Sequence, residues 1–260
     1  MIRLIATDLD GTLLTPEGKL PEGIFALIRA FRKSGVRFAA ASGRQYGNVK
    51  RLFAEEAEHM DFICENGAYV VANGKKQARY FPRDMAEEIV RDILSAGMEL
   101  LISAPETCYV LSSASKIYTD DIVYRLRNTV TVIDNPVSVC GECIKISGYH
   151  AKGVAALAPK LQEKWNGCLH CDIAGRDWLD FTLANKGDGI RALSDSLHIP
   201  LSDMAAFGDQ FNDDSMLSAV GHPYIMRHAP EPLRQKGYAD CGQVMDTLKE
   251  MLRSLEAGKA

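Results

Sequence analysis

The sequence predicts an α/β protein in which a parallel sheet covered by helices is interrupted by an inserted α+β region. Three observations predict it. Short apolar, β-branched runs alternate with helix-spaced apolar residues over residues 2–64. The same rhythm returns after about residue 185. Between the two stretches the pattern breaks into short strands separated by turn signals.

Ile2, Leu4, Ile5 and Thr7 form a short, nearly continuous run that reads as a buried parallel strand. Ile24, Leu27, Ile28 and Phe31 recur at helix spacing, and Gly35 ends that helix. Residues 36–41 make the next strand, 47–58 a helix and 62–64 a third strand. Asn66-Gly67 and Asn73-Gly74 are turn signals between short strands. A helix near 84–96 turns Met85, Ile89, Ile93 and Leu94 to one face. Strands follow near 99–103, 108–112, 129–133, 143–147, 169–173 and 178–182, with helices near 116–127 and 151–164. The α/β rhythm resumes with a helix at 187–197 and a strand at 204–207. Short elements at 212–226 and a helix at 244–256 close the chain. The economical arrangement is a core from 1–82 and 185–260, with 83–184 inserted at a loop.

Composition excludes several classes. Of the 260 residues, 47% are hydrophobic and 25% charged, a balance that rules out disorder and collagen-like order. A net charge of −4 carries no footprint for nucleic acid. No apolar run is long enough for a membrane span or a signal peptide, so the expectation is a cytoplasmic protein. Seven cysteines in a chain this long argue against a disulfide scaffold. Cys140 with Cys143, and Cys168 with Cys171, have the spacing of zinc-ligand pairs, but both pairs adjoin strands and free thiols are the preferred reading.

The chemistry concentrates after strands. Asp8 and Asp10 leave the end of the first strand, where a parallel sheet binds ligands, and Gly11 lets the backbone turn. Asp209, Asn212 and Asp213 follow the strand near 204–207. Two acidic sets at one sheet edge suit Mg²⁺, a hard ion that prefers oxygen ligands. Against this stands the plainer reading of each Asp as a turn or helix cap. Lys186 opens a helix, where a cation opposes the helix dipole and serves a bound anion better. Ser42 and Gly43 precede another helix and are suited to a phosphate-binding turn.

These residues resemble the four motifs of the haloacid dehalogenase-like hydrolases, specifically the Cof-type sugar-phosphate phosphatases with a large cap. The first motif is Asp8, Asp10, Gly11 and Thr12; the second is Ser42, Gly43 and Arg44. Lys186-Gly187 represents the third, and Gly208, Asp209, Asn212 and Asp213 the fourth. Residues 65–68 resemble the segment before the cap. The resemblance implies a Rossmann-like three-layer α/β/α core, with 83–184 as an α+β cap that closes over the substrate and sets specificity. It implies Mg²⁺-dependent hydrolysis of a small phosphomonoester, a sugar phosphate, through an aspartyl phosphate. Asp8 would attack phosphorus, and Asp10 would act as acid and then base. Asp8, the Asp10 backbone carbonyl and Asp209 would hold Mg²⁺, with Asn212 and Asp213 behind them. Lys186 and Ser42 would hold the phosphoryl oxygens. Gly43, Arg44, Asn66 and Asn185 would line the phosphate and substrate pocket, with a turn or helix cap as the equal alternative for Asn66 and Asn185. In the cap, Trp178 reads as packing first and stacking second, and Arg176 is a candidate substrate contact. The partner would be a small phosphomonoester, with neither nucleic acid nor membrane, bound by a monomer or homodimer. The rival readings are a sugar phosphomutase and a non-catalytic sugar-phosphate-binding regulator. Residues 221–230 depart from the family pattern, which leaves the local role of His228 open.

Overall fold

The computed structural model describes residues 1–125 and 127–257. The chain divides into two compact units. The first comprises Met1–Arg44, Val49–Gln77 and Asn185–Ala260; the second comprises Gln45–Asn48 and Ala78–Ala184. The division after Gln77 differs from the expected one after residue 82, and the segment Gln45–Asn48 groups with the second unit. Thr129 N–H donates to Gln45 Oε1 at 2.9 Å within that unit, which explains the grouping.

The first unit is built on an eight-stranded sheet. Its order is Ala239–Cys241, His222–Met226, Met204–Gly208, Leu4–Asp8, Arg37–Ala41, Asp61–Cys64, Tyr69–Ala72 and Lys75–Ala78. Neighbours are parallel from Ala239–Cys241 across to Asp61–Cys64. Tyr69–Ala72 then runs antiparallel. Leu4–Asp8 lies between Met204–Gly208 and Arg37–Ala41, and all five of its residues are buried. That burial on both faces explains its unbroken apolar run. Leu4, Ala6, Ala39, Ile63, Ile190, Leu193 and Ala206 share one core under the helix Lys186–Leu197. Of the four residues its spacing singled out, the helix Ile24–Lys33 buries Ile24, Ile28 and Phe31 and leaves Leu27 half-buried.

The second unit has its own six-stranded sheet, ordered His170–Ala174, Trp178–Thr182, Lys145–Tyr149, Glu99–Ser103, Cys108–Leu111 and Val130–Ile133. The helices Arg83–Ser95 and Ala158–Trp165 cover one face through Ile89, Ile93, Leu161 and Trp165. The expected helix at 151–164 begins only at Ala158. Gly153 has φ +92°, outside helical geometry, and Pro159 is tolerated only in a first helical turn. The expected helix at 47–58 is also shorter, ending as Tyr46–Leu52. Two elements had no sequence signal: the helix Glu231–Arg234 and the edge strand Ala239–Cys241, in which only Cys241 is buried. Among the described residues no helix is long and apolar enough to cross a membrane.

Candidate active site

The parallel topology brings the chain's functional side chains to one sheet edge. Asp8 ends the central strand, Ser42 follows Arg37–Ala41, and Asp209 follows Met204–Gly208. Residues from positions far apart in sequence thereby share the C-terminal edge, where such sheets bind ligands. The chain then turns through Leu9–Leu13, with Gly11 at φ +84°. A Cβ on Gly11 would lie 2.5 Å from Asp209 Oδ2, so only glycine admits this approach of the two acidic segments.

Asp8, Asp209 and Asp213 form one buried cluster, with potential ligand oxygens within 4.8 Å of one another. Lys186 is inserted into it. Its Nζ donates to Asp8 Oδ1 at 2.6 Å and to Asp213 Oδ1 at 2.5 Å, and the residue is 1% exposed. This accounts for a cation in the first turn of a helix, since the carboxylates offset the unfavourable dipole. Asp213 Oδ2 accepts the N–H groups of Asp209 and Gln210 at 2.9 and 3.0 Å. Asp213 therefore braces the loop and the ammonium. Thr12 Oγ1 donates to Asp209 Oδ1 at 3.0 Å, and Gln210 Nε2 donates to Oδ2 at 3.0 Å. The sequence places Thr12 in the first motif without this contact and does not single out Gln210. Gln210 had a signal, since it pairs with Asp213 in a capping box.

Electrostatics follow from burial. Desolvation pushes the Asp8 carboxyl above the usual carboxylate range, and the Lys186 ammonium only partly opposes it. Burial alone would lower Lys186, but Asp213 and Asp8 raise it, so the ammonium stays charged. Among the described residues, the three clustered carboxylates meet a single buried ammonium. That leaves an excess of negative charge, which a divalent cation fits. The all-oxygen donor set of Asp8 and Asp209 suits Mg²⁺.

Other expected residues take different places. Arg44, expected on the substrate, forks onto Asp10: Nε donates to Oδ2 at 2.8 Å and Nη2 pairs with Oδ1. Asn185, expected among the phosphate binders, caps the helix behind Lys186. Its Oδ1 accepts the Asp188 N–H at 3.0 Å, and the Asp188 carboxylate accepts the Asn185 N–H at 3.1 Å. Ser42 is buried and its Oγ accepts the Arg44 N–H at 3.2 Å. Gly43 packs beside Asn66, whose φ is +54°. Asn212 Nδ2 donates to Asn66 Oδ1 at 3.3 Å. In the second unit, Trp178 packs against Tyr118 and Tyr149, with ring centroids 5.9 and 5.1 Å apart. Arg176 pairs with Asp177 at 3.2 Å. Cys140 and Cys143 are buried, Cys168 is exposed, and no cysteine cluster with metal-binding geometry occurs among the described residues.

The comparisons with known proteins agree with this architecture. Residues 5–242 match the family model of haloacid dehalogenase-like hydrolases, and the chain belongs to that family. An Escherichia coli relative, 5-amino-6-(5-phospho-D-ribitylamino)uracil phosphatase YbjI, is 26% identical over 243 residues, 88% of this chain and 86% of that protein. An HMP-PP phosphatase of Yersinia pseudotuberculosis is 26% identical over 254 residues, 91% of this chain and 88% of that protein. SMU.1108c of Streptococcus mutans has a similar structure, with TM-score 0.85 and 20% identity, covering 97% of this chain and all of that one. The subclass IIB sugar phosphatase BT4131 aligns with TM-score 0.78 and 18% identity, covering 96% of this chain and 98% of that one. The chain is a phosphatase of the Cof type.

Proposed function

We propose that the enzyme hydrolyses a small phosphomonoester, of the sugar-phosphate class, in two phosphoryl-transfer steps that need Mg²⁺. The observation carrying this reading is the buried Asp8 at the end of the central strand, clustered with Asp209 and bonded to Lys186. Asp8, the Asp10 backbone carbonyl and Asp209 would hold the ion. When bound, the ion supplies positive charge that reduces repulsion between Asp8 and the phosphate.

Asp8 Oδ attacks phosphorus, and the bond to the substrate oxygen breaks. Asp10 protonates the departing alkoxide. Asp10 then takes a proton from water, which attacks the same phosphorus and breaks its bond to Asp8. Asp8 is regenerated and phosphate leaves. Lys186, bonded to Asp8, and the Ser42 hydroxyl would stabilise charge on the transferring oxygens. Arg44 fixes the direction of the Asp10 carboxyl by its two-pronged contact. Residues 83–184 form the cap that selects the substrate. The YbjI relative, named for a phosphorylated ribityl compound, supports this substrate class.

The test is phosphate release from a panel of sugar, nucleotide and cofactor monophosphates, with Mg²⁺ and with EDTA. Release that requires Mg²⁺ and disappears in Asp8→Asn is expected. Undiminished release in EDTA or in that variant overturns the reading.

A further inference from the structure

The turn Glu65–Gly67, between the strands Asp61–Cys64 and Tyr69–Ala72, holds a conformation its side chains resist. Glu65, Asn66 and Gly67 have φ of +49°, +54° and +98°. Two successive residues with side chains therefore occupy the left-handed region, which asparagine tolerates and glutamate does not favour. Such a backbone persists only where its surroundings hold it, and it gathers at functional sites. Here the surroundings are two of the motifs. Glu65 N–H donates to Arg44 O and Asn66 N–H to Ser42 O, each at 3.2 Å. On the other side, a Cβ on Gly67 would stand 2.1 Å from Asn185 O, at the start of the helix that carries Lys186. The Asn66 amide reaches a further motif. Its Oδ1 accepts Asn212 Nδ2 at 3.3 Å, and a Cβ on Gly43 would lie 3.0 Å from the same oxygen.

We infer that Asn66 is a positioning residue for phosphoryl transfer: its amide fixes the spacing between the Ser42-Gly43 turn and the turn Phe211–Asp213. The inference rests on the phosphatase reading above. Asn212 adjoins Asp213, whose carboxylate takes the Lys186 ammonium and the Asp209 N–H. A shift of Phe211–Asp213 therefore moves the ammonium and the carboxylates together, relative to the Ser42 hydroxyl. Misplacement by about 1 Å in such a site can cost about 100-fold in rate. The amide thus serves the reaction through Asn212, while the strained backbone places that amide between the two turns. Turn formation alone does not ask for asparagine, because glycine takes the same φ without steric cost.

That difference supplies the test. Asn66→Gly keeps the turn and removes the amide, and Asn212→Ala cuts the same contact from its other end. Steady-state phosphate release with Mg²⁺ is measured on the best substrate of the panel for wild type, N66G, N212A and the double variant, beside thermal unfolding. In N66G, kcat should fall about tenfold with KM within about threefold and Tm within about 3 °C. The double variant should lose no more than the worse single variant, since both cut one contact. Asn66→Asp tolerates the same φ and keeps the accepting oxygen, so its kcat at saturating substrate should stay within about threefold of wild type even if N66G melts early. Full activity in N66G overturns the inference, because the residue then serves only the turn. Losses that multiply in the double variant overturn it too, as does a kcat in N66D as low as in N66G. A wild type that releases no phosphate from any member of the panel overturns the phosphatase reading itself, and the inference with it.

Discussion

Replacing Lys186 by methionine is the sharpest perturbation of the carboxylate cluster. Methionine nearly preserves the length of the side chain, so the change removes charge more than volume. Two short hydrogen bonds are lost, to Asp8 and Asp213, from a residue that is 1% exposed. Breaking a buried ion pair from one side typically costs about 3–5 kcal/mol, because the remaining charge stays buried without its partner. Here two carboxylates are orphaned, so the loss belongs at the upper end of that range. Trp165 and Trp178 both lie in the second unit, so tryptophan fluorescence reports that unit, whereas circular dichroism reports both. In urea with EDTA, K186M should lower the dichroism transition and leave the fluorescence transition in place.

The sign of the pH dependence follows from Asp8. Its folded carboxyl sits above its ordinary range through burial, so the charged form is the penalised one. The loss in K186M should therefore shrink as pH falls through that raised value and the carboxyl takes up a proton. Conversely, it should grow as pH rises through it. Mg²⁺ should restore part of the stability at neutral pH by replacing the lost positive charge. A loss below about 1 kcal/mol, the size of an ordinary point-mutation effect, would refute the claim that this ammonium holds the cluster together.

Gly11→Ala forces a Cβ to within 2.5 Å of Asp209 Oδ2 at a left-handed φ, so stability should fall by about 2 kcal/mol. The thermal shift produced by Mg²⁺ should shrink with it, and calorimetry with and without the ion measures both. Arg44→Ala frees Asp10, so kcat should fall about tenfold while KM stays within about threefold; steady-state kinetics would show the reverse split if Arg44 served substrate binding. Alkylation of the native protein followed by peptide mass mapping should modify exposed Cys168 first. Cys143 should resist, since burial pushes its thiol up to about 12.

The central strands and the four acidic positions were legible because their signals are local. Asp8 follows an unbroken apolar run, and Asp209 follows another. Lys186 was legible as an oddity, a cation at the wrong end of a helix, but its two partners lie 178 and 27 residues away and leave no trace in its own segment. The sequence names Arg44 and Asn185 as pocket residues, and Asn185 equally as a helix cap, but a side chain's neighbour depends on three-dimensional distance. Arg44 meets Asp10, 34 residues distant, and Asn185 spends its amide oxygen on the Asp188 N–H of the helix it caps. The edge strand Ala239–Cys241 was invisible because one buried residue makes no alternation. Pro159 and Gly153 were present in the sequence and marked the later start of the helix Ala158–Trp165, but the apolar spacing of the region concealed their effect.

The placement of Leu4–Asp8 between Met204–Gly208 and Arg37–Ala41 has a consequence for synthesis on the ribosome. The strand Leu4–Asp8 has one neighbour close behind it and the other far downstream, as the 197-residue interval between Thr12 and Asp209 records. At translation rates of about 5–20 residues per second, that interval lasts roughly 10–40 s. Throughout it, the nascent chain carries an apolar strand edge that no part of itself yet covers, the kind of edge that recruits other strands. The inserted segment, contiguous apart from residues 45–48, is complete before Met204–Gly208 is made. Assembly of the acidic cluster is consequently a late event, and a chain released before Met204–Gly208 is made holds Asp8 without Asp209, Asp213 or the strand that closes the sheet.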